Sequence, residues 1–185
     1  MTTSLAAYID MLFQWEYESA SPELSTPMDR ATHRTTHTFT DGTGSLQSNL
    51  LFHDRRRLTP ASPTDLLDLA GGLTDVFGNA LTFSYVKGIK IANKGVPNAS
   101  PATAWTKTTG EDLEVGAGAA FMSSIWGGAS STGTEKLIVR SGGALVLTAP
   151  HDGYLVTATT ADILRISLEG NGVNDVDYDI IIVGN

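Results

Sequence analysis

The segment Gly172-Val-Asn-Asp-Val-Asp-Tyr-Asp-Ile-Ile-Ile-Val-Gly-Asn185 reads as one β-strand that enters the core part-way along its length. Val176, Tyr178 and Ile180 fall on one side at a period of two, with Asp177 and Asp179 on the other. Ile181, Ile182 and Val183 follow as an unbroken β-branched run, which predicts cover on both faces. A final strand held in the core predicts a rigid body without a mobile catalytic tail.

Outward from this strand, the same period recurs as far back as residue 34. Arg34–Thr40 is β-rich and closes on Asp41-Gly42-Thr43-Gly44, residues suited to a turn. Asn49–Arg57 passes from an apolar start to a charged edge, and Asp65–Leu69 alternates weakly before Gly71-Gly72. Leu81–Ala92 is the clearest internal strand, with Gly88 as a bulge or bend. Further strands are expected at Ala102–Thr108, Asp112–Val115, Lys136–Arg140, Ala144–Thr148, Gly153–Ala158 and Asp162–Glu169. Roughly ten short strands separated by Gly, Pro, Asn and Ser turns predict a mainly β protein, an antiparallel β-sandwich or jelly-roll. No βαβ alternation is visible, which argues against a parallel sheet.

Residues 1–33 differ from this body. Ser4 is placed to cap a short helix carrying Leu5, Tyr8, Ile9, Leu12 and Phe13 on one face. Beyond it, Ser19-Ala-Ser-Pro22 and Ser25-Thr-Pro27 break any helix. A helix this short is unstable alone and needs a surface to dock on. The expected organisation is therefore an N-terminal arm or docking segment over 1–33, as a short helix or extended arm, and a β-sandwich domain over 34–185.

Composition narrows the function. The chain has 185 residues, of which 41% are hydrophobic, enough for one core. It carries a formal net charge of −8, against the clustered Lys and Arg that nucleic acid requires, so no nucleic-acid partner is expected. No apolar run is long enough for a transmembrane helix, no membrane partner is expected, and the N-terminus does not resemble a secretory signal. The absence of cysteine removes disulfides and thiolate metal sites and suits synthesis in a reducing cytoplasm.

The candidate chemistry is sparse. Asp175, Asp177 and Asp179 share a strand face that would hold a hard cation only with help from loop carbonyls; a solvated, edge-protecting face is favoured. His33 and His37 share a side but lack a third ligand, so they and His53 and His151 are read as surface or interface residues. His151-Asp152-Gly153 has no Gly-x-Ser-x-Gly elbow to serve, and adjacent His and Asp rarely orient one another. Gly116-Ala-Gly118 and Gly127-Gly128 lack the Lys of a phosphate loop. No catalytic residue, metal or cofactor is expected, and the chain is not expected to be an enzyme.

The remaining candidates are interface residues. Arg55, Arg56 and Arg57 form the one basic cluster; they suit either bidentate pairing with carboxylates of an underlying subunit or an exposed strand edge. Trp105 and Trp126 sit in Gly/Ser-rich surroundings as end plugs or oligomer anchors, ahead of sugar-stacking platforms. With Trp15 and the arm residues Leu5, Tyr8, Ile9, Leu12 and Phe13, these are the partner-interface candidates.

Several blocks in order resemble tailed-bacteriophage virion structural proteins. They are Phe39-Thr-Asp-Gly-Thr-Gly44, Phe52-His-Asp-Arg-Arg56, Leu67-Asp-Leu-Ala-Gly-Gly-Leu-Thr-Asp-Val-Phe-Gly78 and Leu81-Thr-Phe-Ser-Tyr-Val-Lys-Gly-Ile-Lys-Ile91. Asp152-Gly-Tyr154 and Asp177-Tyr-Asp-Ile-Ile-Ile-Val-Gly184 complete the set, which covers most of residues 35–185 and leaves 1–33 outside. The resemblance implies a minor capsid protein of β-sandwich type, a decoration or cement protein on the capsid surface of the virion, often trimeric. Its implied partners are the major capsid protein and further copies of itself. The alternative is a tail or fibre-associated module that recognises a host surface glycan through loop aromatics.

Overall fold

In the computed structural model, residues 4–18, 28–96, 111–116, 125 and 136–185 are described. Their strands, in chain order, are β1 (Ala7–Glu18), β2 (Met28–Phe39), β3 (Leu50–Leu58), β4 (Thr64–Asp68), β5 (Leu73–Thr74), β6 (Ala80–Leu81) and β7 (Tyr85–Gly95). They continue with β8 (Leu113–Gly116), β9 (Lys136–Val139), β10 (Ala144–Thr148), β11 (Tyr154–Leu155), β12 (Ile163–Leu168) and β13 (Val176–Gly184). There is no α-helix among the described residues. The Ala102–Thr108 strand expected from sequence lies outside them, as do Trp105 and Trp126.

The terminal strand β13 occupies the middle of the larger sheet, ordered β10-β7-β13-β3, with β11 added beside β7. Its neighbours are both antiparallel: Ile180 lies opposite Asp54 on β3 and opposite Ile91 on β7. A second antiparallel sheet runs β4-β12-β8-β9, and β5 and β6 form a small ribbon. The inward faces of the two larger sheets share one apolar cluster. Tyr178, Ile180 and Ile182 of β13 and Ile89 and Ile91 of β7 belong to it, as do Leu67, Leu113, Val115, Leu164, Ile166 and Leu168 of the second sheet. Each such side chain contributes about 1.5–3 kcal/mol on burial, which makes this interior the principal source of stability. The architecture is an antiparallel β-sandwich.

Two details depart from the expectation. Alternation persists through β13, so Ile182 is fully buried while Ile181 is 38% exposed on the outer side of the sheet. The β-branched run reflects the preference of a central strand, and the outer face is left open at that point. The single strand expected over Leu81–Ala92 is divided between β6 and β7, because Phe83 N–H turns to Leu69 C=O while Ser84 and Tyr85 N–H groups bond to Asn185 C=O. The expected irregularity at Gly88 is present: the β7–β13 register shifts between Val183 and Gly184, opposite Val86–Gly88.

Buried polar groups tie the layers together. Asn93 on β7 donates through Nδ2 to the carbonyls of Glu111 (2.9 Å) and Val139 (3.0 Å), and its Oδ1 accepts from Gly95 N–H (2.8 Å). One side chain thus links the larger sheet to β9 and to the segment that leads into β8. Asp112 is buried, bonded to Arg140 and to the Ser141 N–H.

Residues 4–18 correct the helical option. They run extended into β1, and β1 pairs antiparallel with β2 along its whole length, from Ala7 opposite Phe39 to Glu18 opposite Met28. The 33/34 boundary falls inside β2, so the arm is a hairpin whose second strand leads directly into the sandwich. The reason is a competing period. Ile9, Met11, Phe13, Trp15 and Tyr17 alternate with Asp10, Gln14 and Glu16, and the Thr-rich chain of β2 supplies a strand partner.

Candidate functional site

The hairpin has two chemically different faces. Positions 7, 9, 11, 13, 15 and 17 of β1 share a face with 39, 37, 35, 33, 31 and 29 of β2, by direct pairing. The opposite face is polar and held by ion pairs. Arg34 grips Asp10 with two parallel bonds (Nε–Oδ1 2.8 Å, Nη2–Oδ2 2.6 Å), Thr36 Oγ1 adds a third at 3.1 Å, and Arg30 lies 3.3 Å from Glu16. The Arg34 guanidinium, its first cause, holds the Asp10 carboxyl below the usual carboxylate range. Tyr8 and Leu12 stand exposed among these pairs.

The apolar face meets the body at one end only. Gly88 lies opposite Val183, on the outer side of the larger sheet, and a Cβ there would stand 2.4 Å from Ile9 Cδ1. Glycine is what lets the Ile9 side chain rest on the sheet. Phe39 and Val183 are also buried, although they stand outside the central cluster. From Phe13 outward cover is lost: Phe13 is 67% exposed, Trp15 38% and Tyr17 71%. The Phe13 and Trp15 rings lean together with centroids 5.9 Å apart, and Trp15 Nε1–H donates to Asp29 Oδ2 at 3.2 Å. An aromatic stripe therefore continues past the body.

The helical face expected from sequence is redistributed accordingly. Leu5 and Ile9 are half-buried and Phe13 and Trp15 share their side, while Tyr8 and Leu12 point to the polar face and are exposed. Met11 and Tyr17 belong to the stripe and were missed. The signal for them was present in the alternation from Ile9 to Tyr17, which only Leu12 interrupts.

The arginines and aspartates of the body meet one another. Arg55 bonds to Asp179 (2.6 and 3.1 Å) and Arg57 to Asp177 (2.7 and 3.1 Å), each bidentate across the β3–β13 pair. Lys94 approaches Asp179 at 3.9 Å. Each partner arginine, the leading cause, holds its aspartate below the ordinary range. The carboxylates available to these arginines are thus supplied by their own chain. On the inward side Arg56 reaches Asp65 at 3.0 Å, and Asp65 accepts a 2.6 Å bond from the Tyr178 hydroxyl. Burial first, then that carboxylate, raises the Tyr178 pKa well above its usual value.

Other candidates stay apart. His33 and His37 lie on the apolar side of the hairpin, His53 on β3 and His151 in a turn; no three His, Asp or Glu side chains among the described residues converge to hold a metal ion. Ser45 Oγ and His151 Nδ1 are 2.8 Å apart, an exposed contact between two loops. No helix of the described residues is long and apolar enough to cross a membrane.

No family model matches the chain, and no curated protein or solved structure shows significant similarity to it.

Proposed function

We propose that this chain is a virion structural protein, a decoration protein that binds the outside of a phage head and stabilises it by bridging capsid subunits. The observation that supports the reading is the hairpin: an aromatic stripe carried beyond a finished β-sandwich, with a polar, ion-paired back and an uncovered front. A two-stranded ribbon is marginal by itself in water, so such a stripe calls for an assembled neighbour. The body supplies rigidity, and the arm supplies attachment. Opening a shell bridged in this way must break several contacts together, which multiplies their effect. The reading as a capsid protein draws further on the ordered sequence blocks that resemble phage virion proteins.

The test mixes purified protein with expanded, undecorated heads and measures co-sedimentation and the thermal stability of the shell. Saturable binding at micromolar concentration with a raised disruption temperature is expected. No binding under those conditions overturns the head-decoration reading.

A further inference from the structure

We propose that the uncovered half of the hairpin docks on a second copy of this chain, across the open outer face of that copy's larger sheet. The inference rests on the reading of the hairpin as an assembly element and names its occupant.

Continuity is the first argument. The stripe that ends in Phe13, Trp15 and Tyr17 begins with Ile9, which already rests on the outer face of its own larger sheet at Gly88. In every copy the patch at Gly88 is covered by that copy's own Ile9, and the sheet surface beside it is what each copy presents to another. Beside Gly88 that face is open. Val146, Lys90 and Ile181 lie directly opposite one another across β10, β7 and β13, and Val146 and Ile181 are 37% and 38% exposed. They form a short apolar row interrupted by the flexible stem of a lysine, which itself covers apolar surface well.

Charge points the same way. On its docking face the outer hairpin carries Asp29, opposite Tyr17, while Glu16 lies on the other face with Arg30. The acceptor face has Lys90, Lys94, Arg55 and Arg57 against Asp177 and Asp179, with Asp175 beside Arg57, a small excess of positive charge. Asp29 set against a positive sheet face is a complementary fit.

Area sets the stoichiometry. At their observed exposures of 67%, 38% and 71%, the three aromatic side chains leave roughly 350 Å² uncovered, taking about 200 Å² for each ring when fully exposed. One arm would bury only about that much on each partner, below the ~800 Å² per partner of a stable interface. A chain that both gives and receives an arm buries about 700 Å², close to that figure. The exchange is therefore reciprocal between two copies, which puts both arms into one interface.

The experiment uses the full chain alone, without heads, in analytical ultracentrifugation. A donor variant (Phe13→Ser with Tyr17→Ser) and an acceptor variant (Ile181→Asp) are compared with the parent, with near-ultraviolet circular dichroism as the check that the body is folded. The parent is expected to be a closed oligomer, and each variant to weaken association by about tenfold or more. Mixed together, the two variants regain one of the two arm–face contacts, so they should associate more than either variant alone and less than the parent. A parent that is monomeric at all concentrations, or an oligomer indifferent to Ile181→Asp, overturns the proposal. If the monomeric chain still binds heads and the donor variant abolishes that binding, the arm meets the capsid instead and only this inference fails. An intact oligomer that ignores heads would retain this inference and remove the head-decoration reading.

Discussion

Replacing Tyr178 by Phe removes one oxygen from the centre of the molecule and should change stability in two separable ways. The Tyr178 ring is fully buried, and its hydroxyl donates to Asp65 Oδ2 at 2.6 Å. A hydrogen bond to a charged acceptor contributes about 1.5–3 kcal/mol. Asp65 keeps its 3.0 Å contact with Arg56 and remains 21% exposed, so water can partly replace the lost donor. The lower end applies, about 1.5 kcal/mol at neutral pH, or a fall in Tm of about 3–6 °C for a chain of this size. The second effect is alkaline. The folded pKa of Tyr178 is raised above the unfolded value near 10, so its contribution is complete below pH 10 and is lost as pH rises beyond it. The unfolded chain releases this proton while the folded chain retains it. Between about pH 10 and 11.5 the parent should lose about 1.6 kcal/mol more than Tyr178→Phe, the other tyrosines being common to both. Urea unfolding followed by tryptophan fluorescence at several alkaline pH values measures the difference. Equal slopes for parent and variant would show that the hydroxyl ionises as readily in the fold as out of it, and the argument from burial against Asp65 would be wrong.

Asp177 and Asp179 have folded pKa values below their unfolded ones, so their contribution is present above about pH 4 and declines as pH falls through the depressed values. Urea midpoints between about pH 5 and 2 should fall more steeply for the parent than for an Arg55→Gln, Arg57→Gln double variant; parallel curves would refute the pairing. Gly184→Ala should destabilise by about 1–3 kcal/mol, since the new Cβ would lie 2.2 Å from the Tyr85 carbonyl oxygen, a backbone atom that cannot swing aside. A Tm equal to the parent's would contradict that close approach. Asn93→Ala strands the Glu111 and Val139 carbonyls and the Gly95 N–H, and should cost about 3 kcal/mol in chemical denaturation, with a loss below 1 kcal/mol counting against its bridging role.

Much of the sandwich was legible because alternation is a local signal. Every described strand from β3 onward falls on or next to a period-two segment, apart from the very short β5. The arm was harder because two periods overlap in it. Leu5, Tyr8, Ile9, Leu12 and Phe13 satisfy a helix, and Ile9, Met11, Phe13, Trp15 and Tyr17 satisfy a strand. The two sets are equal in size, and the strand partner that decides between them begins at Met28, beyond two prolines that read as the end of a helix. The charge ladder could not be read at all. Arg55 and Asp179 are separated by 124 positions, and their meeting depends on the β3–β13 register, which no local pattern encodes.

The hairpin and the sheet below it pose one physical problem between them. Cross-strand pairs contribute about 0.2–1 kcal/mol each, whereas ordering the backbone costs about 1–2 kcal/mol per residue, so the outer hairpin is not sustained by its own contacts. Its polar face already has partners in the Asp10–Arg34 and Glu16–Arg30 pairs, and water suffices there. The aromatic face, with Phe13, Trp15 and Tyr17 in one row, has the most to gain by being covered. The larger sheet has the converse shape: its aspartates are neutralised by its own arginines, so Val146 and Ile181 can be buried without stranding a carboxylate beside them. A donor face lacking cover and an acceptor face whose acid charges are already paired make the arm, rather than any cleft in the sandwich, the place where this fold acts.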